Sequence, residues 1–256
     1  MPIHRPTWYK LASRNNIPGL PCPQCVTGKL KELKNGLTII EPKYSDDYRQ
    51  DTSWEPENVV YRWSATLRCD EKMCGEIVHM IGDTEVVETL ASLPGGEEAW
   101  GYEDALRIQA VFPAPPLFRI SANVPRKVKA QLQIAFRMYW TDTSACVARL
   151  RTAVEALLNH QKVPKDRLIK NGKSKGKMRR LDLRERIAAF TSGAVHAGQL
   201  DGLRNIGNLG THGTDDVEDD DLFDAVDVLE FVLTGIYDTQ TINAKAAKLK
   251  QKKAKS

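Results

Sequence analysis

Apolar and polar positions alternate at short period over roughly the first hundred residues and shift to helical period beyond Ser121. The runs 37–43, 59–67 and 76–81 are β-rich, and Asn35 with Gly36 and Gly82 with Asp83 read as turns between them. Residues 92–101 and 113–116, rich in Gly and Pro, mark a junction, with one short helix expected from Glu103. Five helices follow. The first has Asn123 as its expected cap, tolerates Pro125 in its first turn, carries Val128, Leu132, Ala135, Phe136 and Tyr139, and ends near Asp142. The second starts at Thr143 or Ser144 and repeats at Val147, Leu150, Val154, Leu157 and Leu158. The third covers about 181–190 and the fourth roughly 197–211. The fifth runs from Asp219, Asp220 and Asp221 through Leu222, Val226, Leu229 and Leu233 to Tyr237, with its carboxylates at the positive end of the helix dipole. The expected fold class is α+β and multidomain: a small β domain over 1–100, a linker with a short helix over 101–120, an all-α bundle over 121–243 and a disordered basic tail over 244–256.

A chain of 256 residues with 41% hydrophobic and 27% charged residues is neither wholly disordered nor collagenous, and is long enough to bury a large core. No run approaches the roughly 18 uncharged apolar residues of a membrane span, and the first residues lack a signal-peptide core, so no membrane and a cytoplasmic location are expected. The net charge of +4 conceals an uneven distribution: −4 over 1–100, +4 over 101–160, +8 over 161–180, −10 over 181–243 and +6 in the tail.

Four of the five cysteines fall in two close pairs, Cys22 with Cys25 and Cys69 with Cys74. In a reducing compartment this spacing points to metal before disulfide. Gly28 lets the chain fold back after the first pair, and Gly75 directly follows the second. Four thiolates complete a closed tetrahedral shell, which predicts a structural Zn2+ held by Cys22, Cys25, Cys69 and Cys74 in a zinc-ribbon β domain. Cys146 reads as core packing, and His79 as a half-buried strand residue rather than a ligand.

On a helix, Arg204, Asn208 and His212 form one polar line, while Gly207 and Gly210 clear space for another helix or a ligand. Arg151 and Glu155 share one face of the second long helix. The segment Ala148-Arg149-Leu150-Arg151-Thr152-Ala153-Val154-Glu155-Ala156-Leu157-Leu158, together with Leu203-Arg204-Asn205-Ile206-Gly207-Asn208-Leu209-Gly210-Thr211-His212 and Leu229-Glu230-Phe231-Val232-Leu233, resembles the bacterial domain of unknown function 4145 over about residues 125–240. In that family a helical domain often follows a zinc ribbon and is associated with restriction and phage defence. The family is in turn similar to the HEPN helical superfamily, many of whose members are metal-independent ribonucleases acting as dimers. The resemblance implies a HEPN-like bundle, a homodimer, a partner protein in a defence complex and a candidate catalytic set. In that set His212 moves protons, Arg204 stabilises phosphate charge, Asn208 orients, and Arg151 and Glu155 support. Seven residues separate Arg204 from His212, longer than the four to six of the active nucleases, so the guanidinium must reach back or come from Arg151 or a second subunit. The same residues also read as a polar lock between helices, with Arg204 or Arg151 paired to Glu155 and Asn208 bonded across the bundle.

The stretch 162–180 is strongly basic and contains no aromatic residue, which suits a nucleic-acid backbone and disfavours base stacking; its plainer role is a solvated interhelical loop. Two functions stay open: a defence-associated HEPN-like module that acts on nucleic acid as a metal-independent ribonuclease or binds it without cleavage, RNA ahead of DNA; or a non-catalytic interaction or regulatory module of a restriction, toxin or defence complex.

Overall fold

The structure, a computed structural model, describes residues 4–14, 16–92, 98–212, 217–239, 245, 246 and 249, leaving out the side chains of 56, 90–92, 98, 99, 192, 211 and 212. The chain divides into two compact units, His4–Pro116 and Leu117–Ser256.

The first unit is built on a five-stranded antiparallel sheet. Its strands are β1 (Leu11–Ala12), β2 (Leu30–Ile40), β3 (Arg62–Cys69), β4 (Ile77–Ser92) and β5 (Glu98–Phe112), in spatial order β1-β5-β4-β3-β2. β3 shows the period-2 rule plainly: Trp63, Ala65, Leu67 and Cys69 are buried while Arg62, Ser64 and Arg68 are exposed. Val78 and Met80 of β4 and Leu106, Ile108 and Val111 of β5 complete the buried layer. Burying each large side chain contributes about 1.5–3 kcal/mol relative to leaving it in water.

Three expectations change here. Residues from Glu103 form no helix: they belong to β5, because Leu106 and Ile108 alternate with exposed Arg107 and Gln109 and pair with β4 from Gly82↔Ile108 to Ser92↔Glu98. Asn35 and Gly36 do not separate strands; they form a bulge inside β2, where Asn35 has φ +59° and a Cβ on Gly36 would stand 2.7 Å from the Thr66 carbonyl. Gly82 likewise sits at a register shift within β4, where a Cβ would meet the Arg107 carbonyl at 1.9 Å. Beside it Trp63 Nε1 donates to the Asp83 carbonyl at 2.8 Å, and Arg107 grips the Asp83 carboxylate through two bonds of 2.8 and 2.9 Å. The segment between β2 and β3 contains α1 (Lys43–Tyr48), and Arg49 directly after it is bonded to Glu41.

The second unit is helical: α2 (Arg126–Met138), α3 (Thr143–His160), α4 (Leu183–Ala189), α5 (Ala197–His212) and α6 (Asp219–Tyr237), with a 3-10 turn, Thr191–His196, before α5. α3 is the central element, burying Cys146, Val147, Leu150, Ala153, Val154, Leu157 and Leu158 against the other helices. Tyr139 stacks at a tilt on Phe223, both fully buried. Local signals end the helices. Asp142 caps α3 by accepting from the Ala145 N–H at 2.7 Å, and Asp182 with Glu185 forms a reciprocal capping box on α4. Asn123 does not cap α2; Pro125 occupies that position, and the Asn123 and Ser121 side chains instead donate to the Asp238 carboxylate at the far end of α6.

The basic stretch is not an irregular loop. It folds into a hairpin of β6 (Asp166–Leu168) and β7 (Met178–Arg180), continued by Leu181 N–H to the Lys165 carbonyl and Ile169 N–H to the Lys177 carbonyl. Gly172 and Gly176, at φ +82° and +86°, let its tip turn. Among the described residues no helix is long and apolar enough to cross a membrane.

Candidate metal centre and polar side-chain clusters

Two tight turns converge at one end of the sheet. In the first, Cys22 and Cys25 flank a bend closed by Val26 N–H to the Cys22 carbonyl, with Val26 at φ +62°. In the second, Cys69 ends β3, and Cys74 follows a turn closed by Gly75 N–H to the Glu71 carbonyl. The turns are tied together by Asp70, whose carboxylate accepts from the Lys29 N–H at 2.8 Å and faces Lys31 Nζ at 3.2 Å.

The four sulfurs all lie within 4.8 Å of one another. Cys22 Sγ and Cys74 Sγ are 3.7 Å apart, and Cys25 Sγ and Cys69 Sγ 3.6 Å. These separations are far beyond a disulfide bond, and they match the edge of about 3.8 Å that a tetrahedron of Zn–S bonds of about 2.3 Å requires. Backbone donors already point at the sulfurs, Gln24 N–H to Cys22 Sγ at 3.4 Å and Gly28 N–H to Cys25 Sγ at 3.3 Å. They stabilise thiolate. Hydrogen bonds from the Thr27 side chain and the Gly28 N–H lower the Cys25 thiol to about 6, whereas burial pushes Cys69 up to about 12. A divalent cation removes that conflict by deprotonating every thiol it ligates. The residues therefore fit a structural zinc site in which four thiolates leave no position for water or substrate. His79 stays outside it, exposed on β4 rather than half-buried, with Nδ1 3.3 Å from Thr66 Oγ1.

The polar residues of α5 are only partly gathered. Arg151 Nη1 donates to Asn208 Oδ1, and Arg151 Nε lies 3.7 Å from Glu155 Oε1, so Arg151, Glu155 and Asn208 form one seam between α3 and α5. Gly207 and Gly210 permit that approach, because a Cβ would stand 2.6 Å from Arg151 Cβ and 2.5 Å from the Ser144 carbonyl. Arg204 is held on its own helix: Nε donates to Asp201 Oδ1 at 2.7 Å and Nη2 to Asn205 Oδ1. That pairing lowers the Asp201 carboxyl below its ordinary value. His212 closes α5, and its side chain lies outside the described residues.

Sequence reasoning missed Asp201 and Asn205, although Asp201 stands at i,i+3 from Arg204, a spacing that brings the two together on any helix. It also missed Arg186. This residue is buried against α3, donates to Asn159 Oδ1 at 2.8 Å, and has its pKa lowered by burial.

On the hairpin, Arg179 is bonded to Glu185, which also draws Arg167 to 3.8 Å. Hydrogen bonds from Arg179 and the Asp182 N–H lower Glu185 to about 2. Lys162, Lys165, Lys170, Lys173, Lys175, Lys177 and Arg180 are all exposed and have no ion-pair partner among the described residues.

Residues 10–109 match the model of a domain of unknown function, DUF8608, and residues 133–252 match that of another, DUF4145. No significant match to the chain was found among curated proteins or among solved structures. The chain is thus a DUF8608 and DUF4145 domain pair, a β region bearing the four-cysteine cluster followed by a helical bundle.

Proposed function

We propose that this domain pair binds a nucleic-acid backbone through the basic hairpin and does not cleave it, with the β region serving as a zinc-held scaffold. The observation that carries this reading is the set of seven exposed cations on the hairpin and just before it, without a described carboxylate partner. Exposed charges of one sign on a short, ordered hairpin cost repulsion that phosphates relieve, and each phosphate engaged releases counterions. The hairpin holds no aromatic ring, so binding is to phosphate and indifferent to base sequence.

The α5 residues fit a structural role better than catalysis. Asn208 is bonded to Arg151 across the bundle, and the Arg204 guanidinium is engaged by Asp201 and Asn205, so a phosphate entering there would have to displace both partnerships. The test is incubation with single-stranded RNA in EDTA, comparing wild type with Arg204→Ala and His212→Ala. Retarded, intact RNA with all three proteins is the expected result. EDTA-resistant cleavage that either substitution abolishes would establish the HEPN-like ribonuclease reading instead.

A further inference from the structure

α5 carries two pairs of glycines whose surroundings differ sharply. Gly207 and Gly210 are explained by close approach to α3. Gly198 and Gly202 are not: each is exposed, and a Cβ at either would meet nothing within 4 Å. Helical glycine without an internal packing reason is unfavourable relative to alanine, so the bare backbone there suits an approach from outside the bundle.

These two glycines form one wall of a groove of about 520 Å³ between α5 and α6. Its floor is apolar, made by Leu203, Ile206, Ala225 and Val228, and its rim carries the exposed carboxylates of Asp221 and Asp224. An acidic rim repels phosphate, and it repels the same rim of a second copy brought face to face. It attracts a cationic segment that has an apolar residue to seat on the floor.

We propose that this groove holds the chain's own C-terminal segment, residues 240–256. The segment carries six lysines and no acidic residue, and Leu249 is its large apolar side chain beyond Ile242. Lys245 and Leu249 are exposed, so neither that charge nor that leucine is buried elsewhere in the bundle. The reach is sufficient. From Tyr237 back to Val228 and Asp224, α6 rises only about 14 and about 20 Å, while residues 238–249 extend up to about 40 Å. Docking sets the segment's positive charge against the acidic rim and so leaves the hairpin as the main phosphate-binding element.

Carbodiimide cross-linking of the full chain at low salt, without nucleic acid, reads this directly. Lys245, Lys248 or Lys250 should couple to Asp221 or Asp224. Two variants separate docking from chance encounter: Gly198→Leu with Gly202→Leu, which fills the groove where there is room for side chains, and Leu249→Asp, which removes the anchor. Each should retain its circular dichroism and lower the coupling yield about 10-fold or more, the effect expected from unseating one buried leucine. A mixture of isotope-labelled and unlabelled protein separates the sources: coupling within one chain is the proposed occupancy, and coupling found only between copies overturns it. Absent coupling, or equal yield in wild type and both variants, overturns the proposal whatever the outcome for RNA binding.

Discussion

Gly28→Ala probes the metal centre at its tightest point. A Cβ there would lie 2.4 Å from Cys69 Sγ, 3.0 Å from Glu71 Cβ and 3.3 Å from Asp70 Oδ1. Ordinary carbon–sulfur packing needs about 3.6 Å, so the sulfur must withdraw by about 1 Å, against a tolerance of about 0.2 Å in metal–ligand distance. Relief by backbone movement is no easier, because the Gly28 N–H is bonded to Cys25 Sγ and its carbonyl accepts from Cys22 N–H. One thiolate of four is thus removed from the shell or misplaced in it. Structural zinc binds with an apparent 10–16 kcal/mol, so forfeiting about a quarter of it costs about 3 kcal/mol, roughly 100-fold in affinity. Competition against a chromophoric chelator measures the change. Gly19→Ala is the control, since its Cβ meets nothing closer than 3.9 Å, and it should leave affinity unaltered. Equal zinc affinity in Gly28→Ala and wild type would refute the four-sulfur geometry.

Two further predictions rest on independent parts of the molecule. Gly202→Ala should raise stability by about 1 kcal/mol through helix propensity, whereas Gly207→Ala and Gly210→Ala should lower it by about 1–3 kcal/mol by forcing α5 off α3; urea denaturation distinguishes them. Glu185, depressed to about 2 in the folded chain against an unfolded value of about 4.3, contributes stability that is present above about pH 4.3 and is lost as pH falls through 2. Carboxyl NMR titration should place Glu185 near 2, and hydrogen exchange should show the hairpin losing protection across that interval; a Glu185 titrating at its ordinary value contradicts the Arg179 bond.

The cysteine centre was legible in the sequence because ligand spacing is local: the two turns are short, and each brings its own pair of sulfurs together. The helices were legible for the same reason, their caps and apolar repeats lying within a few residues. What escaped was set by distant neighbours. β5 reads ambiguously until Leu106 and Ile108 are placed against β4, and Asn35 with Gly36 reads as a turn until β3 is seen to continue past it. The basic hairpin has almost no apolar pattern, so its strands come from backbone pairing alone. Helical geometry put Arg204 and Asn208 on one line, but only packing against α3 separates Asn208, bonded to Arg151, from Arg204, bonded to its own helix.

The central claim is phosphate binding by the hairpin, and the dependence of single-stranded RNA affinity on salt tests it most directly. With about four of the hairpin cations engaged at once, log K against log salt should fall with a slope of about −2.8, which is about 50-fold between about 50 and 200 mM. Replacing Lys170, Lys173, Lys175 and Lys177 by Gln should weaken binding and flatten the slope by about 0.7 for each phosphate that is no longer neutralised. Binding that is absent at about 50 mM salt, or a slope identical in the quadruple variant, would contradict the claim.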